Sequence, residues 1–156
     1  MQQAHPDDAD TDEGAALARA CAAAMAVDDE AVRARGIEVV DVGPGRAVAR
    51  MTVDEVVVNG HGTAHGGYVF LLADTAFGYA CNSRGPRAVA AGCDIDFTAP
   101  ARLGDALTAT AVERWRAGRS GLYDVTVRRG DGTVVAEMRG RSRTVGGSWV
   151  EGAPAT

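Results

Sequence analysis

Within Asn59–Asn82, "NGHGTAHGGYVFLLADTAFGYACN", a single carboxylate, Asp74, stands in an otherwise apolar run. Burying a lone carboxylate costs several kcal/mol unless it is paired or neutralised. Chains keep such a group where chemistry needs it, or where an arginine or an interface hydrogen bond satisfies it. Eight residues earlier stands His65-Gly66-Gly67. If a helix starts there, its first N–H groups lack partners and the positive end of its dipole faces outward. Glycine lets a substrate oxygen approach those donors closely, which is how an oxyanion hole is built. The same glycines also suit a plain turn. His61 and His65 have the i, i+4 spacing of a metal pair, but His61 lies in a glycine-rich loop with no third ligand at metal spacing, so no metal is expected. Asn59 suits a turn. Gly60-x-Gly62 is no dinucleotide fingerprint, because the βαβ context is missing.

The elements that must hold these residues follow from pattern. Glu13 to Val27 is alanine-rich, with Leu17, Cys21 and Met25 on one stripe, and predicts an amphipathic helix. Val40 and Val42, then Gly43-Pro44-Gly45, then Val48, Met51 and Val53 predict a two-stranded hairpin. His65–Asn82 predicts a long helix, apolar nearly all round and buried on most sides. Strands are predicted over Arg87–Pro100, Ala106–Trp115, Arg119–Arg129 and Thr133–Val145, the last two joined by an Asp131-Gly132 turn. Strands in succession without crossover helices make a mostly antiparallel sheet, hence an α+β protein. One sheet with one apolar helix to cover is expected to curve around it. Its edges then still need protection, so self-association is expected.

The chain of 156 residues suits one domain, and 46% apolar content suits a globular one. Five of its 21 acids fall in residues 1–14, which carry no arginine or lysine, leaving 16 acids against 16 arginines. Residues 1–13 therefore read as a disordered acidic tail, 14–147 as the domain and 148–156 as a flexible C-terminal tail. The absence of lysine reads as compositional bias. No apolar run reaches membrane-spanning length and the acidic N-terminus is unlike a secretory signal. Three cysteines without metal or redox spacing fit reduced thiols, so a cytoplasmic protein is expected. A neutral domain with 5% aromatics is a poor nucleic-acid binder.

Taken together, Asn59, then His65-Gly66-Gly67, then Leu72-Ala73-Asp74 resemble the hotdog-fold acyl-CoA thioesterases, most closely the PaaI group of phenylacetate degradation. "DIDFTAPARLGDALTATA" (94–111) and "RSGLYDVTVRRGDGTVVAEMRGRSRTVGG" (119–147) are similar to that family's later strands. The resemblance covers about Gly14 to Gly147. It implies a long central helix wrapped by a curved antiparallel sheet, dimers with a continuous sheet, and a homotetramer as a dimer of dimers. It implies active sites at the dimer interface, with Asp74 of one subunit facing the helix start at Gly66 of the other. Asp74 would be nucleophile or general base, Gly66 N–H would polarise the thioester carbonyl, and Asn59 and His65 would orient the reacting groups. Gly67 and Thr75 would border the acyl pocket. The substrate would be an acyl-CoA, aromatic as in phenylacetyl-CoA or a hydroxylated relative, with no cofactor. CoA phosphates need local positive charge, and arginine binds them bidentately. Arg139, Arg141 and Arg143 alternate and share a strand face; Arg119, Arg141 and Arg143 are the expected contacts, against the alternative of a merely solvated basic face. The competing functions are a hotdog enoyl-thioester hydratase and a non-catalytic acyl-CoA-binding module.

Overall fold

The computed structural model describes residues 11–153. Helix α1 spans Asp12–Ala26, α2 Glu30–Ala34 and α3 Gly66–Cys81. The strands are β1 Glu38–Gly43, β2 Arg46–Thr52, β3 Pro86–Phe97, β4 Ala106–Ala117, β5 Ser120–Arg129 and β6 Val134–Ser148. They form one six-stranded sheet in the order β1-β2-β4-β5-β6-β3, every neighbouring pair antiparallel. The curved sheet around a central helix is the expected α+β architecture.

The sheet can close on α3 because both partners are small at the contact. Helix α3 buries Val69, Leu72, Ala73, Ala76, Phe77 and Ala80. The facing strand rows are Ala47 and Ala49 on β2, Ala109 and Ala111 on β4, and Tyr123, Val125 and Val127 on β5. Gly140 of β6 leaves the space that the Phe77 ring fills; a Cβ there would stand 2.8–2.9 Å from three ring carbons. Gly140→Ala should therefore lower stability by about 1–3 kcal/mol through overpacking, read as a lower urea midpoint with an unchanged slope.

Three boundaries differ from the sequence reading. Asp12 and Glu13, assigned there to a disordered tail, form the first turn of α1, where their charge complements the dipole, and Thr11 Oγ1 caps it by accepting from Gly14 N–H at 3.2 Å. Residues 1–10 of that tail lie outside the described residues. Helix α2 was not foreseen, because five residues carry no readable period. The C-terminal segment assigned as flexible from residue 148 is packed at least to Val150. Trp149 Nε1–H donates to Asn82 Oδ1 at 2.7 Å and the Arg87 guanidinium lies 4.3 Å over the indole. Trp149 N–H donates to Gly85 O at 2.9 Å. A tryptophan in a terminal segment supplies both apolar area and a donor that wants a partner.

One stripe of α3 is not covered by its own sheet. Gly67 is exposed, and Phe70, Leu71, Asp74, Gly78 and Cys81 are only half-buried. Alongside it runs β3, an edge strand paired only with β6, whose Phe97 is 55% exposed. Helix α3 was expected to be buried on most sides; a single chain leaves this side open.

Candidate active site

The entrance loop is held by backbone bonds. His65 N–H donates to Val57 O at 2.7 Å, and Ala64 N–H to Ala101 O at 2.8 Å. Asn59 organises the turn. Its Oδ1 accepts from His61 N–H at 2.9 Å and from the Thr63 N–H and hydroxyl, each at 3.3 Å. That is the turn role; the carbonyl oxygen is occupied, and the Nδ2 amide is the part of Asn59 left for a ligand.

His65 is the N-cap of α3. Its Nδ1 accepts from Gly67 N–H at 3.0 Å, which places the proton of the neutral ring on Nε2. Gly67 therefore offers no free donor. Gly66 N–H, the first of the helix, has no acceptor among the described residues. Of the two glycines it is the one that can polarise a carbonyl. Beside it opens a cleft of about 420 Å³ walled by Ala64, Val69, Phe97, Ala99, Pro100 and Val135, among others. Phe97 touches the glycine so closely that a Cβ on Gly66 would meet ring atom Cζ at 3.1 Å.

Asp74 lies on the open stripe, two turns further along. Burial lifts its carboxyl above the usual aspartate range, and no hydrogen bond or opposite charge offsets this. Its field reaches two thiols. Burial first, then Asp74, push Cys81 up to about 12, and the same two causes raise Cys93. Both thiols thus stay protonated. At 1.5 Å of rise per residue, the eight residues between Gly66 and Asp74 span about 12 Å of helix, too far for one thioester group to touch both within a single chain.

The remaining expected residues are placed differently. Thr75 turns toward its own core, buried, with its hydroxyl donating to Leu71 O at 2.7 Å, so it does not face the open stripe. Arg141 and Arg143 alternate with buried Gly140 and Ser142 and so point to the outer sheet face, away from α3. Arg141 is paired with Asp94 at 2.6 Å, and Arg119 donates twice to Thr144 O at 3.0 and 2.8 Å. The three adjoin one another at one end of the β5–β6 pair, where Ser120 pairs with Arg143 and Leu122 with Arg141. Among the described residues no group of three His, Cys, Asp or Glu side chains could hold a metal, and no helix is long and apolar enough to cross a membrane. Sequence reasoning missed Phe97; the alternation of Cys93, Ile95 and Phe97 on β3 places it on the helix-facing row and was there to be read.

A long helix inside a curved antiparallel sheet is the hotdog architecture. Residues 61–136 match the thioesterase superfamily. The chain is 46% identical over 125 residues to the acyl-coenzyme A thioesterase PaaI of Escherichia coli K12, covering 80% of this chain and 89% of that one. It superimposes on the crystal structure of the E. coli PaaI protein from the phenylacetic acid degradation operon with a TM-score of 0.85 at 44% identity, covering 86% and 98% of the two chains. A Streptococcus mutans protein solved bound to acetyl-CoA aligns with a TM-score of 0.69 at 27% identity, covering 71% of this chain and 90% of that one. The chain belongs to the thioesterase superfamily and is a thioester hydrolase.

Proposed function

We propose that this enzyme is an acyl-CoA thioesterase acting on an aromatic acyl-CoA, phenylacetyl-CoA or a hydroxylated relative, in a site shared between two subunits. The observation that carries the reading is the pair Gly66 and Asp74: a free amide donor and an unpartnered carboxylate on one helix, too far apart to serve the same carbonyl. A two-fold axis crossing α3 near Phe70 would bring Gly66 of each chain opposite Asp74 of the other. The open α3 stripe and the unpaired β3 edge are the surfaces such a dimer would cover, and two dimers would make the homotetramer. The aromatic substrate is supported by the likeness to a protein of phenylacetic acid degradation.

Gly66 N–H receives the carbonyl oxygen and the negative charge that grows on it. Ionised Asp74 then works by either of two balanced routes. As nucleophile its oxygen adds to the carbonyl carbon, the C–S bond breaks, CoA leaves as thiolate, and water cleaves the resulting anhydride to free acid and carboxylate. As base it takes a proton from the water that attacks. The Asn59 amide and His65 Nε2–H are the polar groups of the entrance, and Gly67 keeps it free of side chains. Arg119 and Arg143, with Arg141, would take the CoA phosphates where the nucleotide leaves the cleft.

Because Asp74 titrates high in the folded chain, two pH effects of opposite sign follow. The ionised form is the working one, so kcat/KM should fall on acidification with a midpoint above that of a free aspartate. A raised folded pKa favours the protonated fold, so its stabilising effect is full below the unfolded value and is lost as pH rises through the folded one. Asp74→Asn should flatten that part of both curves, measured as pH–rate and Tm–pH profiles of the two proteins. The substrate reading is tested by CoA release across aromatic and aliphatic acyl-CoAs. The highest kcat/KM is expected for phenylacetyl or hydroxyphenylacetyl groups. A preference for aliphatic chains overturns the aromatic assignment, and hydration of crotonyl-CoA without CoA release overturns hydrolysis.

A further inference from the structure

Phe97 closes β3 on the helix-facing side of the sheet, yet 55% of it is exposed. Its ring lies against the α-carbon of Gly66, with Cζ 3.1 Å and both Cε atoms 3.4 Å from the position a Cβ would take. The ring also walls the 420 Å³ cleft that opens beside that glycine. Within a single chain the ring is not enclosed by the core. At this place it lies beside Gly66, whose amide alone among the described residues at the start of α3 has no partner.

We propose that Phe97 is a positioning residue for thioester hydrolysis: its ring shields Gly66 N–H from water and fixes the direction from which the carbonyl oxygen arrives. This rests on Gly66 being the oxyanion donor, as proposed above. The physical reason is competition. A solvated amide must shed water before it can bind the oxyanion, whereas one flanked by an apolar ring meets the growing charge in a drier setting, where the same hydrogen bond is stronger. The ring also explains why position 66 takes no side chain. Alanine would keep the N–H but push the ring aside by a few tenths of an ångström, and a half-exposed ring has room to go. Gly66→Ala should therefore act through Phe97, by uncovering the amide rather than removing it.

The test is a double-mutant cycle on kcat, KM and Tm with Phe97→Ala and Gly66→Ala, together with Phe97→Leu and Gly66→Pro. Phe97→Ala should lower kcat roughly tenfold, with a smaller change in KM, since only transition-state stabilisation is lost. Phe97→Leu, which keeps apolar bulk, should recover most of that loss. Gly66→Ala should cost activity in the parent and almost nothing further in the Phe97→Ala background, because there is no ring left to displace. Simple additivity of the two alanine variants, or a Phe97→Ala effect confined to KM, overturns the role of Phe97 while leaving Gly66 in place. Full activity in Gly66→Pro, which has no N–H at a helix position that tolerates proline, overturns the oxyanion reading and this one with it. A Phe97→Ala protein whose Tm collapses would be judged on Phe97→Leu alone: retained kcat supports the proposal, and a loss of roughly tenfold or more at unchanged Tm overturns it.

Discussion

Asp74→Ala should lose roughly 10³-fold or more in kcat while melting at the same temperature as the parent or higher. The two halves of that result come from one fact. The Asp74 carboxylate is desolvated and has neither a hydrogen bond nor an ion pair to offset it. A structural carboxylate behaves the other way, since deleting one member of a buried pair strands its partner and lowers stability. A group whose removal stabilises the fold and abolishes turnover is held there at a cost in stability for its chemistry. Thiol titration of released CoA, together with a melting curve, decides it. Unchanged turnover removes Asp74 from the reaction, and a lower Tm with intact turnover makes it a structural acid.

Subunit complementation should give the second large effect. Asp74→Ala keeps a good donor and lacks the carboxylate; Gly66→Pro keeps the carboxylate and lacks the N–H. Each alone should be nearly inactive. Unfolded together in equal amounts and refolded, half the dimers are mixed, and each mixed dimer rebuilds one of its two sites from the intact Asp74 of one chain and the intact Gly66 of the other. Activity should return to about a quarter of the parent value, some hundreds of times that of either variant alone. If both groups instead served one site within a chain, the mixture would be as inactive as its components. The axial distance of about 12 Å between the two positions is what makes the first outcome the expected one.

Much of the fold was legible because its signals are local. The Asp131-Gly132 turn, the Gly43-Pro44-Gly45 break and the period change after His65 each mark a boundary that the backbone obeys, and strands β3 to β6 lie within a few residues of their expected spans. The site was legible in part. The unpaired state of Asp74 could not be read from the sequence, because it depends on which arginines reach it, and none does. The roles of Gly66 and Gly67 separated only when the imidazole of His65 was seen to take one of the two amides. Thr75, next to Asp74 in sequence, is about 100° away around the helix and faces its own core. The arginines of β6 alternate as expected, but alternation gives a shared face without saying which, and the face is the outer one. Phe97 escaped notice because its meaning lies in a contact between residues 31 apart in sequence.

The strand order has a consequence for biosynthesis. Strand β3 is paired only with β6, the last strand, and α3 is completed before β4, β5 or β6 exists. On the ribosome the strand beside the most apolar helix must wait for nearly forty more residues before its partner begins to emerge, and the helix itself waits for β4 and β5. A nascent chain arrested between residues 98 and 105 presents that helix with only the β1–β2 hairpin and the unpaired β3 to shelter it. Translation speed through this window, and chaperones that bind apolar helices, should govern the yield of this protein more than the stability of its finished fold.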